Sequence, residues 1–144
     1  SGRVRAIGVS NFQPAHLRQL LDAADVVPAV NQIELHPWLQ QRELRALHAE
    51  LDIRTVAWSP LGRGAVLSDP VITAAAAELG VSPARVILRW HMEQGNIAIP
   101  KASSPERIAE NLDLFSFELT PNQRTAIAGM DRNQRSGSHP DEVN

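Results

Sequence analysis

The sequence predicts an α/β fold in which short β-strands alternate with helices, and two observations support this prediction. Runs rich in β-branched and apolar residues recur along the 144 residues, and each run ends at polar or turn-forming residues. Between the runs lie segments with apolar residues at helical spacing, most of which begin at a proline. Alternation of this kind is typical of parallel βα units.

Four strands are expected, each followed by at least one helix. The predicted strands are residues 4–9, 30–35, 54–59 and 96–100. Helices are predicted from about residue 14, over 41–51, from 70 to a stop at Gly80, from 83 to near Gly95, from 105 and from 121. Thr120 and Gln123 form a predicted capping box for the last helix. The polar tail, residues 131–144, is predicted to be irregular.

Two architectures fit four βα units. One is a small open sheet with helices on both faces, and the other is half of an eight-stranded barrel with helices on one face. Polar side chains directly follow the strands, at Ser10-Asn11, His36, Ser59 and Lys101. In a barrel these strand ends form one rim where active sites are built, which favours the barrel.

Composition excludes several classes of partner. Net charge is −2, with 14 basic and 16 acidic residues that are not segregated by sign, so we expect neither nucleic acid nor a membrane as partner. No apolar run approaches the about 20 residues that span a bilayer. Cysteine is absent and the histidines lack ligand-like spacing, so we expect a cytoplasmic protein without a metal site. The abrupt start at Ser1 is interpreted as a cut edge.

The segment around the only lysine, Lys101, is the strongest local indication of a ligand site. A strand ends there and a helix begins at Ser104-Pro105, and the free N–H groups of a helix start attract anions. Lys101, Ser103 and Arg107 add a positive charge, a hydroxyl and a guanidinium suited to a phosphate. The alternative is an ordinary capped helix with a solvated Lys and Arg.

Three other segments carry groups suited to a flat polar ligand. Ser10 and Asn11 could bond an amide or instead cap the following helix, and Gln32 matches a carboxamide. Asn31 and Glu34 could form an internal hydrogen-bond network that braces the barrel, and Glu34 and His36 are assigned mostly to that network. Trp58 could stack on a heterocycle or fill the core before a turn. In the turn after Trp58, Ser59 and the backbone of Leu61 and Gly62 could face a phosphate.

Together and in order, residues 6–12, 31–37, 57–62 and 99–111 resemble the C-terminal half of the aldo-keto reductase family, most closely its prokaryotic aldehyde, ketone and diketo-acid reductases. The resemblance implies an α/β fold that is the C-terminal half of a (β/α)8 TIM barrel, with the last four βα units, a C-terminal helix and a tail. Residues 1–144 would form one partial domain.

The resemblance also implies NADPH as the cofactor, in preference to NADH. Ser10, Asn11 and Gln32 would hold the nicotinamide carboxamide, and Trp58, where the family commonly has tyrosine, would stack on the ring. Ala102 replaces a serine common in the family, so one phosphate hydrogen bond is expected to be missing. The remaining implied contacts are Ser59, Leu61 and Gly62 along the pyrophosphate, Lys101, Ser103 and Arg107 at the 2′-phosphate, and Glu110 and Asn111 at the adenine.

The implied reaction is the reduction of small aldehydes or ketones to alcohols. In the family the proton donor is a tyrosine assisted by Lys, His and Asp, all from the first half of the barrel. This chain has no tyrosine and one lysine, so no catalytic residue is assigned and the chain alone is expected to be inactive. The complete protein is expected to be a monomer, and the fragment to self-associate. The alternatives are a cofactor-binding regulatory barrel and a small binding module without turnover.

Overall fold

A computed structural model describes residues 2–142. Its centre is a four-stranded parallel sheet in which the strands follow one another in chain order. The register places Ser10 opposite Gln32 and Glu34 opposite Trp58. The carboxyl ends of the strands therefore share one edge. The strands are β1 (Gly8–Ser10), β2 (Val30–Glu34), β3 (Arg54–Trp58) and β4 (Ile97–Ala98).

Six helices connect and follow the strands within the described residues: α1 (Pro14–Ala23), α2 (Arg42–Glu50), α3 (Pro70–Leu79), α4 (Pro83–Glu93), α5 (Pro105–Leu112) and α6 (Pro121–Ala128). The predicted helix starts are confirmed to within one residue. The Thr120–Gln123 capping box is present, and Gly80 ends α3 in the left-handed conformation, with φ 65°. The caps explain this accuracy, because they act within a few residues of the chain.

Two predicted strands are too long. The first is Gly8–Ser10 rather than residues 4–9, with Val4 and Ile7 exposed, and the fourth is Ile97–Ala98 rather than 96–100. Both strands lie at sheet edges, and within residues 2–142 each pairs on one side only. Apolar, β-branched residues favour a strand, but a ladder extends only where a neighbour supplies its hydrogen bonds.

The connection between β3 and α3 contains an element that was not predicted. A 3₁₀ segment, Gly62–Ser68, fills it and is interrupted at Arg63 and Gly64, which have φ 54° and 94°. This left-handed pair redirects the chain after the turn. Arg63 is thereby left next to the carboxyl edge of the sheet.

The core has two parts. Residues on β2, β3, α1 and α2, including Leu17, Ile33 and Ala57, form one cluster. Residues on α3, α4 and α6, including Ile72, Ile87 and Trp90, form the other, and the assignment of Trp90 to packing is confirmed. Residues 131–139 form neither helix nor strand, and a 3₁₀ turn covers Pro140–Glu142. The tail prediction also extended to Val143 and Asn144, which lie outside the described residues.

Within the described part of the chain, no single helix is long and apolar enough to cross a membrane. The pair α3 and α4, bent by 94° at their junction, passes that test by length and composition only.

Candidate functional site

Hydrogen bonds join four predicted site residues at the carboxyl edge of the sheet. Ser10 Oγ and the Asn11 backbone N–H both donate to the Gln32 carbonyl, at 3.1 and 2.8 Å. Trp58 Nε1 donates to Asn11 Oδ1 at 2.8 Å. Asn11 adopts φ 59°, a left-handed conformation that asparagine tolerates better than most residues. The parallel register brings the ends of β1, β2 and β3 together, so residues 47 positions apart in sequence meet here.

Ser10, Asn11 and Trp58 of this cluster line a cavity of about 930 Å³, called the Trp58 cavity below. Two polar groups of the cluster have free hydrogen-bonding capacity: within residues 2–142, neither the Gln32 side chain nor Asn11 Nδ2 has a hydrogen-bond partner. Gln32 joins the cluster through its backbone carbonyl and does not line the cavity. The Trp58 indole is half-buried, so part of its surface remains accessible. The lining also includes residues that were not predicted, namely Phe12, His16, Gln19, Leu20, Ala23, Arg63, Gly137, Ser138, Pro140 and Asp141.

The turn after β3 is defined by its backbone conformation. Ser59 has φ 47°, and its carbonyl accepts from the Gly62 N–H at 2.8 Å. Gly62 has φ 55°, and a Cβ there would lie 2.5 Å from a methyl group of Val66, so this position requires glycine. The Leu61 side chain packs against the α3–α4–α6 core cluster. The backbone of Leu61 is thus the part that we expect to contact a ligand.

The predicted phosphate and adenine group lies apart from the Trp58 cavity. Lys101, Ser103, Arg107 and Glu110 are exposed and do not line that cavity. Ser104 Oγ accepts from the Arg107 N–H and caps α5. Asn111 lines a second cavity, of about 360 Å³, beside α4 and β4. The carboxyl ends of β1, β2 and β3 thus meet through hydrogen bonds, whereas the predicted groups after β4 do not line the Trp58 cavity.

A buried polar network supports the loop that carries Asn11. Asn31 Nδ2 donates to the Phe12 carbonyl at 2.9 Å and lies 3.0 Å from His48 Nε2. His48 Nδ1 lies 2.8 Å from Thr55 Oγ1. Burial, assisted by the charge of Arg45, lowers the pKa of His48 to about 4, so the ring is neutral at pH 7. Asn31 therefore belongs to the bracing network that was the alternative interpretation.

Glu34 is also in a network, but its main partner is the tail rather than the barrel. His36 Nε2 lies 3.2 Å from Glu34 Oε1, and Ser136 and Gly137 donate to the same carboxylate. The network expected for Glu34 and His36 is thus present, and it extends beyond the sheet to the tail. The tail residues carry no local sequence signal for this contact, whereas Arg63 was detectable because it directly follows the predicted phosphate turn.

Within the described residues, no three His, Asp or Glu side chains come together in a way that could hold a metal ion.

Comparison with known proteins identifies relatives over almost the whole chain. The family model described as "Aldo/keto reductase family" matches residues 1–132. An aldo-keto reductase of Mycolicibacterium smegmatis is 56% identical over 139 residues, which is 96% of this chain and 50% of the relative. Two other relatives are 2,5-diketo-D-gluconic acid reductase B of a Corynebacterium species, 46% identical over 98% of this chain and 51% of the relative, and methylglyoxal reductase DkgA of Escherichia coli, 44% identical over 98% and 52%.

A solved structure extends the likeness to three dimensions. A mutant of Gox0644 in complex with NADPH is 51% identical, superimposes with a TM-score of 0.95, and matches 99% of this chain and 53% of its own. The chain thus spans about half the length of the curated relatives it matches. The predicted fold class, an α/β partial TIM barrel, and the likeness to prokaryotic reductases are confirmed. This chain belongs to the aldo/keto reductase family.

Proposed function

We propose that this chain is the cofactor-binding half of an NADPH-dependent reductase that converts small aldehydes or ketones to alcohols. The observation that carries the proposal is the hydrogen-bonded cluster of Ser10, Asn11, Gln32 and Trp58 at the carboxyl edge of the sheet. In barrels of this class, active sites are built at that edge. The NADPH complex of Gox0644 and the reductases among the relatives support the same function.

The cluster fits the nicotinamide end of NADPH. A carboxamide both donates and accepts hydrogen bonds, and the Gln32 carboxamide and Asn11 Nδ2 are free to complement it among the described residues. Asn11 Oδ1 accepts from Trp58, and Asn11 Nδ2 would donate to the oxygen of the carboxamide. That same bond orients the indole, whose flat face would stack on the nicotinamide ring.

The start of α5 fits the phosphate end. Lys101, Ser103 and Arg107 are exposed around the first turn of this helix, where free N–H groups and the helix dipole favour an anion. Lys101 and Arg107 would provide the charge-assisted bonds that a 2′-phosphate accepts. Glu110 and Asn111, one turn further along α5, would contact the adenine. Ser59, Leu61 and Gly62 would border the pyrophosphate between the two ends.

Bound NADPH would supply hydride, and reduction also needs an acid that protonates the carbonyl oxygen. This chain has no tyrosine, and we assign its one lysine to the phosphate end. We therefore assign it cofactor binding and no catalytic residue, and we expect it to bind NADPH without turning over a carbonyl substrate.

Titration of the chain with NADPH, followed by cofactor fluorescence, tests this function. We expect saturable binding that Trp58→Ala and Gln32→Ala weaken. Lys101→Ala should weaken NADPH binding about tenfold, the value of one charge-assisted bond, and leave NADH binding nearly unchanged. Arg54→Ala is the matched control, because Arg54 is exposed at the opposite end of β3. Absence of saturable binding by the unaltered chain would contradict the proposal.

A further inference from the structure

Glu34 is a fully buried carboxylate at the carboxyl end of β2. A buried carboxylate is costly unless hydrogen bonds replace its water. Ser136 donates to Oε1 from its backbone N–H at 2.6 Å and from Oγ at 2.5 Å, and the Gly137 N–H donates to Oε2 at 3.2 Å. Apart from the His36 contact, the hydrogen bonds to this carboxylate within the described residues thus come from the tail.

The strength of these bonds is visible in the ionisation of Glu34. Burial by itself raises the pKa of the carboxyl, but the bonds from His36, Ser136 and Gly137 outweigh burial and hold the pKa at about 2. The carboxylate is therefore charged at neutral pH. Hydrogen bonds to a charged group are about twice as strong as neutral ones.

The tail segment held by Glu34 lies directly against Trp58. A Cβ added to Gly137 would be 2.9 Å from Cη2 of Trp58 and 3.4 Å from Glu34 Oε2. Gly137 does not have positive φ, so this position needs glycine for the close approach rather than for its backbone conformation. The following residues, Ser138, Pro140 and Asp141, line the same cavity as Asn11 and Trp58.

We propose that Glu34 is a positioning residue that fastens the Ser136–Ser138 segment of the tail as a wall of the Trp58 cavity, and thereby keeps the indole directed at Asn11. The geometry supports this through one chain of contacts: Glu34 to Ser136 and Gly137, Gly137 to Trp58, and Trp58 to Asn11. Its consequence for cofactor binding rests on the proposed function, whereas the fastening itself does not.

Hydrogen exchange and NMR of the full 144-residue chain test the fastening without any cofactor. We expect Glu34→Gln, which removes the charge at nearly constant size, to speed exchange of the Gly137 amide at least tenfold and to shift the indole N–H resonance of Trp58. Trp58→Phe identifies that resonance by removing it. Amides in the middle of α4 should exchange as in the unaltered chain, which separates local release from global unfolding.

A second pair of variants acts from the tail side, so the test does not depend on a substitution in the buried strand. Ser136→Ala removes one bond to Glu34 and should speed Gly137 exchange, while the matched control Ser138→Ala should not, because Ser138 lines the cavity without bonding Glu34. Unchanged Gly137 exchange in both Glu34→Gln and Ser136→Ala would overturn the inference, as would an unmoved indole resonance.

NADPH titration of the same variants separates this inference from the proposed function. Weaker binding in Glu34→Gln and Ser136→Ala, but not in Arg54→Ala, is expected if both hold, because Arg54 lies at the exposed opposite end of β3. If the unaltered chain binds no NADPH, the proposed function is contradicted. The hydrogen-exchange and NMR results would still decide the role of Glu34. If hydrogen exchange shows that the tail is released in these variants while their NADPH affinity is unchanged, the role of the tail as a cavity wall is overturned.

Discussion

Asp69 connects three parts of the chain through one buried side chain. It caps α3 by accepting from the Val71 N–H at 3.0 Å, and its other oxygen accepts from Trp38 Nε1 at 2.8 Å and Arg132 Nη2 at 3.0 Å. Arg132 also lies over the Trp38 ring, 4.7 Å from its centre. Trp38 therefore has a packing role at the start of the tail, and it does not line the Trp58 cavity.

Asp69→Ala should lower the free energy of unfolding by about 2–4 kcal/mol, through loss of the cap and the unpaired indole N–H it leaves. Urea unfolding measures the change. Ser82→Ala is the matched control, because Ser82 caps α4 and makes no other side-chain hydrogen bond among the described residues. It should cost about 1 kcal/mol. Equal losses in the two variants would contradict a linking role for Asp69.

At the scale of elements, Glu93 joins α4 to α6 and to the segment between α5 and α6. Its carboxylate accepts from Arg89 at 2.7 Å, from Arg124 at 2.6 Å and from the Leu119 N–H at 3.2 Å. Burial raises the pKa of Glu93, but the bonds from Arg124 and Arg89 outweigh it and lower the pKa. The helices on this side of the sheet are thus held by a charge cluster as well as by apolar packing.

Glu93→Ala should destabilise the chain by about 3 kcal/mol, because it leaves the buried Arg89 guanidinium without its main partner. Glu118→Ala is the control: Glu118 also pairs with Arg89, at 3.6 Å, but its side chain is 78% exposed against 13% for Glu93. An exposed pair contributes at most about 1 kcal/mol. Chemical unfolding compares the two, and a loss in Glu118→Ala as large as that in Glu93→Ala would contradict the argument.

At the scale of the whole molecule, the sheet formed by residues 2–142 has an edge strand on each side, β1 and β4, that pairs with one neighbour only. Ile7 lies beside β1, and Ile97 and Ile99 lie in or beside β4, all substantially exposed. Unpaired edges and exposed apolar residues favour association between chains. Self-association of this chain therefore stays a prediction. Sedimentation velocity over a range of concentrations tests it. Ile97→Lys should reduce it.

Two buried histidines predict how stability depends on pH. Burial and nearby Arg45 lower the pKa of His48 to about 4, and burial lowers the pKa of His91 to about 3. In the unfolded chain the pKa of both histidines is about 6.5. Below that pH the unfolded chain binds protons that the folded chain does not, so the free energy of unfolding falls as pH decreases from about 6.5 to 4.

The expected slope is at most about 1.4 kcal/mol per pH unit for each histidine. Urea unfolding at pH 7 and pH 5 measures it, and His48→Gln should reduce it by removing one of the two titrating groups. Stability at pH 5 equal to that at pH 7 would show that the two rings are protonated as readily in the folded chain as in the unfolded one.

The sequence by itself determined the parallel βα order, the helix starts and the residues at the carboxyl ends of the strands. These features depend on caps such as Ser82 and Thr120 and on apolar periodicity, which act over a few neighbouring residues. Ser10, Asn11 and Gln32 could be placed together because parallel strands bring their carboxyl ends to one edge.

Only the tertiary structure decided how long the edge strands are, which atom of Asn11 is occupied by Trp58, and where the tail lies. An edge strand extends only as far as a neighbour pairs with it, whatever its propensity. The bond between Glu34 and Ser136 spans 102 positions of sequence. No local pattern encodes such a contact, because it forms only once the sheet has placed the carboxylate and the helices have set the path of the tail.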